Sequence, residues 1–263
     1  MDAPPPSATT VVLDLLAAHE GRPMSARDLC EGCAIIGHGE AVARVAITRL
    51  LRQKKILRQG RALYALNVAG RPLQRDVSAW RRRIDAMATW SGGWIAVHDA
   101  GVSRRDRTLL RRHCRALDLR GFRGWSGGLW LRPDNLRGGV LALRADLQAL
   151  GLGEGAQVFV ASGFTLEQCA GIRALWDVRA LAADYADRLR LLEESGRRLP
   201  ALEPRAAARE CLLLGRALIG QMLRDPLLPA EMAPDAPRRH LVEALEAYQA
   251  RSRDIWRAVL NPA

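Results

Sequence analysis

Nothing in this sequence is apolar over the roughly 18–20 consecutive residues that a membrane-spanning helix needs, so no span is expected. The opening MDAPPPSATT has neither a basic start nor an apolar run, and it reads as a loose, Pro-rich lead-in rather than a secretory signal. Cysteine is sparse and scattered, at positions 30, 33, 114, 169 and 211. The odd count and irregular spacing argue against a disulfide framework and for reduced thiols in a cytoplasm. Catalytic signatures are missing too. There is no P-loop, no G-x-G-x-x-G, no G-x-S-x-G and no H-E-x-x-H. The CEGC pair at 30–33 finds only His19 or His38 to add to it, at irregular spacing, so packing in a helix is the reading. Neither a metal nor a cofactor is expected.

What the chain has in excess is arginine. Of 40 basic residues only Lys54 and Lys55 are lysine, and the formal net charge is +12. Residues 1–90 hold 14 basic against 8 acidic residues, and residues 91–160 hold 11 against 6. Residues 161–263 are nearly balanced, at 15 against 14. A genome rich in arginine does not explain that gradient, whereas a phosphate backbone met by the first two thirds does.

The 263 residues suffice for two or three modules. VVLDLLAAHEG carries apolar residues at 11, 12, 15 and 16, a helix that stops at Gly21. Ser25 is an N-cap for a second helix, and GCAIIGHG, with three glycines, reads as a turn. A third helix is predicted from about Glu40 to Gln53. Ala43, Ala46, Ile47, Leu50 and Leu51 fall on its buried stripe, and Ala41, Arg44, Val45, Thr48, Arg52 and Lys55 on an outward one. ILRQ, GR and ALYAL then read as two strands joined at Gly60. Three helices and a hairpin make a winged helix-turn-helix over 1–68. In such a unit Arg44 reads guanine, Val45 and Thr48 meet a thymine methyl, Thr48 alternatively donates to phosphate, and Arg49 and Arg52 meet phosphates. Arg58 and Arg61 flank the wing tip. A solvated cationic face, or a winged helix that binds protein, would look the same in sequence.

Residues 69–90 read as a linker helix. Between 91 and 163 the order is WIAVHD (94–99), a helix in 103–117, GFRGW and GLWLRP, a helix in 140–150 and AQVFVAS (156–162). That βαββαβ order is the ferredoxin-like split motif. From 164 to 263 the chain is predicted helical, broken by RDPLLPAEMAPDAP. The fold class is therefore α+β. RRDRTLLRRHCR (104–115) holds six arginines, either a solvated face or a contact to an anion or flanking DNA. Asp99, at a strand end, is either a turn cap or the centre of a metal-dependent nuclease.

Six stretches resemble, in the same order, the PaaX family of bacterial repressors of phenylacetic-acid catabolism. They are RVAITRL (44–50), GRALYAL (60–66), GGWIAVHD (92–99), GLWLRPD (128–134), LWDV (175–178) and RDPLLPAEMAP (224–234). The resemblance implies a homodimeric regulator with a winged-helix reader, a ferredoxin-like dimerisation domain and a helical C-terminal domain. It implies binding to double-stranded operator DNA and release by an aryl-CoA thioester such as phenylacetyl-CoA. Trp94 and Trp130, with Arg224, are then the candidate effector contacts. The family's tryptophan-glycine after the DPLLP element is replaced here by APDAPRR, so another acyl-CoA or aromatic acid is an alternative effector.

Overall fold

Ser7 opens the first helix: its Oγ accepts the amide N–H of Thr10, and α1 runs Ala8–Ala18. A computed structural model describes residues 5–69 and 71–261 of the chain. The first four residues of the expected lead-in lie outside the described residues. Its last three are helical, because a serine followed by ATTVVLDLL is a stronger start signal than the prolines before it are a loop signal.

The fold is mixed α and β, with two small antiparallel sheets. The chain divides into two compact units. The first takes residues up to Ser78, then Arg188–Gly220 and the chain from Val242 onward. The second takes Ala79–Asp187 and Gln221–Leu241. The helices after Gly163 are thus shared between the two units.

In the first unit, α1 leads to a two-residue strand β1 (Met24–Ser25), α2 (Ala26–Ile36), α3 (Glu40–Arg52), β2 (Ile56–Arg58), β3 (Leu63–Leu66) and α4 (Pro72–Ser78). The strands lie in the order β1-β3-β2, with Met24 opposite Tyr64 and Ile56 opposite Leu66. β1 is too short to carry a period and does not announce itself in sequence. Ser25 caps α2 as expected, its Oγ accepting from the Asp28 amide at 3.1 Å.

The glycine-rich stretch at 32–39 is not all turn. α2 continues to Ile36, and only Gly37, in the left-handed region at φ 104°, ends it. Gly32 sits inside the helix because a Cβ there would lie 2.5 Å from a Leu15 methyl and 3.4 Å from the Trp256 ring. Cys30 and Cys33 are buried in the same core, and burial pushes the Cys33 thiol up to about 11. These are packing thiols, and among the described residues no three His, Cys, Asp or Glu side chains are grouped to hold a metal ion.

That core joins α1, α2 and α3 to Ala208 and Leu212 of α9 (Pro204–Met222) and to Trp256 of α10 (Ala236–Leu260). Polar contacts fasten the same faces together. Arg209 donates to the carbonyl oxygens of Ile35 and Ile36, at 3.2 and 2.8 Å, satisfying acceptors the end of α2 leaves open. Arg216 pairs with Asp14, and Arg205 with Glu31 at 2.6 Å.

The linker helix expected at 69–90 arrives as two pieces: α4 closes the first stretch of the first unit, and a 3-10 turn at Trp80–Ala86 opens the second unit. The sheet follows, with β4 (Trp94–His98), α5 (Arg107–Leu119), β5 (Arg123–Gly124), β6 (Leu129–Pro133), α6 (Gly139–Leu150) and β7 (Gln157–Ala161). Its strand order is β5-β6-β4-β7, and every neighbouring pair is antiparallel. Alternation along β4 assigns its two faces. Ile95 and Val97 pack with Ala116 and Leu117 of α5 and Leu143 and Leu147 of α6. Trp94 and Ala96 turn the other way, toward Trp90, Ile172 of α7 (Leu166–Arg173), Trp176 and Leu228. The chain around Pro226 is held close to the sheet: Gly121, at φ 72°, leaves room for the Pro226 backbone that a Cβ would meet at 2.7 Å. Asp225 is buried there, accepting from the Tyr185 hydroxyl at 2.6 Å and from the Leu227 amide at 2.8 Å.

Candidate nucleic-acid interface

The helical period of α3 sorts its residues cleanly. Ala43, Ala46, Ile47 and Leu50 are buried, and Ala41, Arg44, Val45, Thr48, Arg49 and Arg52 are exposed. Val45 is 68% exposed, an unusual position for a β-branched apolar side chain. Gly39 precedes the helix, and Glu40 stands in its first turn, where the dipole favours a carboxylate. Arg49 and Arg52 end it with the opposite charge, equally matched to the dipole.

Two of the outward side chains are already engaged. Arg44 donates Nε and Nη2 to Oε1 of Glu40, at 2.9 and 2.6 Å. Thr48 donates its hydroxyl to the Arg44 carbonyl at 3.0 Å, so its methyl group is what remains to touch a partner. Of its two expected uses, contact to a thymine methyl is the one that this geometry leaves open.

Lys55 departs from the expected stripe. α3 stops at Arg52, Lys54 takes a left-handed φ of 53°, and Lys55 is half-buried in the turn before β2. Its carbonyl receives the Asn67 amide at 3.0 Å, and the Lys54 carbonyl receives the Asn67 side chain at 2.8 Å. The turn is thus pinned, and Lys55 is not part of the helix face.

The β2–β3 hairpin carries Arg58 and Arg61, both exposed. Gly60 at φ 93° and Ala62 at φ 59° make its tip, which the Gln59 amide closes onto the Leu63 carbonyl at 2.9 Å. Arg58 donates to the Gly60 carbonyl at 3.2 Å, folding its side chain along the tip. The hairpin and α3 therefore present arginines from two neighbouring elements of one unit.

Trp94, Trp130 and Arg224 are not brought together. Trp94 is 2% exposed and stacks on Trp176 at 6.1 Å, with Trp90 edge-on at 5.3 Å. Trp130 belongs to the opposite face of the sheet, where its Nε1 donates to Oδ2 of Asp99 at 2.9 Å. Arg224 is exposed beside Asp118, at 3.5 Å. They do not wall one pocket.

A cleft of about 470 Å³ in the second unit lies elsewhere, lined by 87–90, Arg137, Pro229, Glu231, Asp235 and Arg239. Trp90 lines it together with two exposed guanidinium groups, Arg137 and Arg239, and Arg239 is paired there with Asp235. Sequence reading missed it because its walls come from three separate stretches of chain.

Asp99 is 1% exposed and its carboxylate is fully occupied. Oδ2 accepts from Trp130 and from His113 Nε2 at 3.1 Å, and Oδ1 accepts from Arg104 at 2.9 Å. The Gly153 amide donates to His113 Nδ1 at 3.0 Å, so the ring proton sits on Nε2 and points at Asp99. This cluster ties the end of β4 to α5, β6 and the turn before β7.

No protein-family model matches the chain, and no curated protein does. Among solved structures it is similar to the uncharacterized protein Rv0674 from Mycobacterium tuberculosis, at 24% identity and a TM-score of 0.63. That likeness covers 96% of this chain and 98% of the other, and it speaks to the fold. Among the described residues no helix is long and apolar enough to cross a membrane.

Proposed function

We propose that the protein is a DNA-binding transcriptional regulator, with α3 as the helix that enters the major groove. The observation that carries the reading is the outward face of α3: Arg44, Val45, Thr48, Arg49 and Arg52 are exposed on a helix whose other side is core. Side chains of this kind supply a bidentate donor for guanine, apolar contact for thymine, and phosphate contacts further along.

The element order supports a winged helix-turn-helix. Helix, short strand, two helices and a hairpin, with β1 paired to the second hairpin strand, is the layout in which α3 stands free beside a wing. In the same reading the second unit is a ferredoxin-like βαββαβ module, and its strand order is the one that motif produces. The regulator acts as a homodimer and a repressor, its two reading helices spaced by about 34 Å, one turn of DNA, or a multiple of it. An aryl-CoA thioester or aromatic acid releases it by favouring a state that no longer fits the operator. The cleft lined by Trp90, Arg137 and Arg239 is the candidate place for such a ligand, which would have to draw Arg239 away from Asp235.

The rival reading, a nuclease centred on Asp99, gains no favouring observation, since that carboxylate is already shared among Trp130, His113 and Arg104. Fluorescence anisotropy with labelled duplex across a salt series tests the proposal. The expected result is affinity that falls steeply and linearly in log–log form with salt. Salt-independent or undetectable duplex binding would remove the reading.

A further inference from the structure

α5 carries a charge arrangement that its own stability does not call for. Arg107, Arg111 and Arg115 follow one another at i, i+4 and i+8, so they form one ridge with about 6 Å of rise between neighbours. Arg112 lies beside the ridge, and all four side chains are exposed. Like charges one turn apart repel, and Arg107 stands in the first turn, where the helix dipole disfavours a cation.

Among the described residues only Asp106, at the start of the helix, acts electrostatically on one of them, Arg111, whose Nε also donates to the Arg107 carbonyl at 3.1 Å. None of the four is in a salt bridge among the described residues, and the acids around α5 are engaged elsewhere. Asp106 turns Oδ1 to the amides of Thr108 and Leu109, at 2.7 and 3.0 Å. Asp99 holds Arg104, while Asp118 faces Arg123 and Arg224. Nor can the helix rotate its ridge inward, because His113, Ala116 and Leu117 fix the opposite side in the core.

We infer that this ridge is a second phosphate-binding surface, which takes the sugar-phosphate backbone of duplex nucleic acid without reading bases. Guanidinium groups in line, each able to fork onto a phosphate, are the chemistry such a backbone rewards. An acidic lipid surface carries the same charge, but it also requires apolar side chains to enter the interface. α5 has committed its apolar residues to the sheet, and Leu109, 54% exposed, is the one left outside. The inference stands apart from α3: the ridge contacts phosphate whether or not α3 recognises a sequence.

The test uses the full-length chain with Arg107→Gln, Arg111→Gln and Arg115→Gln combined, bound to random-sequence duplex across a salt series. The expected slope of log affinity against log salt is shallower by about 2–3, at about 0.9 per lost phosphate contact. The melting temperature should hold or rise, since repulsion is relieved. An unchanged slope in a folded variant overturns the inference. If the triple variant does not fold, Arg111→Gln alone should remove about 0.9 of slope, and no change there overturns it equally. Phosphatidylserine vesicles form the second arm. Vesicle binding lost with the duplex slope intact assigns the ridge to lipid and also overturns the inference. Arg44→Ala, measured in parallel on the same duplex and on selected sites, reports on α3, so failure of one surface is distinguishable from failure of the other.

Discussion

Glu40 and Arg44 hold each other across one turn of α3, with Nη2 of the arginine 2.6 Å from Oε1 of the glutamate. Both side chains are 65% exposed, so the pair is a surface contact of small energy and easy exchange. If α3 is the reading helix proposed above, the value of the pair is discrimination. A guanine edge offers Arg44 two acceptors in exchange for Glu40, while the carboxylate repels a phosphate placed at the same point.

Removing that carboxylate should therefore loosen specificity. Glu40→Gln is expected to raise affinity for random duplex several-fold and to steepen its salt dependence. Arg44→Ala should weaken a selected site by about 10- to 100-fold and relax one base preference. Competition binding between selected and random duplex reads both effects.

The Asp99 cluster makes a stability prediction. Trp130→Phe keeps the ring in the core but leaves Oδ2 of a buried carboxylate short of one donor. A loss of about 1–3 kcal/mol is expected, read by denaturant unfolding, with the circular dichroism of the native state unchanged. A loss below about 0.5 kcal/mol would mean that water replaces the indole without cost.

Asp14 sets a pH dependence of unusual sign. Burial raises its pKa from 3.8 to about 6, against the opposing pull of Arg216. The folded state then holds this proton more tightly than the unfolded chain. Its contribution is fully present in acid, below about 3.8, and is lost as pH rises through about 6. Asp14→Asn should remove that decline and leave the protein more stable at pH 7, by on the order of 2 kcal/mol. Denaturation midpoints of both proteins at pH 4.5 and pH 7 measure the difference.

Gly121→Ala tests the anchoring of the Pro226 segment. A methyl group would meet the Pro226 Cα at 2.7 Å and its carbonyl oxygen at 2.8 Å, on a backbone already at φ 72°. Backbone atoms cannot swing aside as a side chain tip can. A loss of about 2 kcal/mol or more in unfolding free energy is expected, from overpacking together with left-handed strain. A neutral effect would mean that the Pro226 segment is free to move.

Local period carried much of this molecule into legibility. The inward and outward faces of α3 follow from spacing alone, because each position has one direction on a helix. Strand order in the second unit could be anticipated from the βαββαβ sequence of elements. Apart from the lead-in, where the local Ser7 cap decides, the failures share one cause, dependence on partners far along the chain. β1 exists because β3 is there to pair with Met24 and Ser25. Gly32 reads as a turn until Leu15 and Trp256 close on it. Trp94 looks like a ligand wall until Trp176 stacks on it, and Lys55 looks helical until Asn67 pins the turn before it. The stretches LWDV and RDPLLPAEMAP supply Trp176 and Leu228 to the packing against the sheet, and Asp225 caps its own turn at the Leu227 amide.

Selection from a random duplex pool tests most directly the proposal that α3 reads duplex DNA. Wild-type protein should enrich a defined motif containing a guanine, and Arg44→Ala should lose preference at that position while still binding DNA. Enrichment of no motif, or of the same motif at the same strength by both proteins, would contradict it.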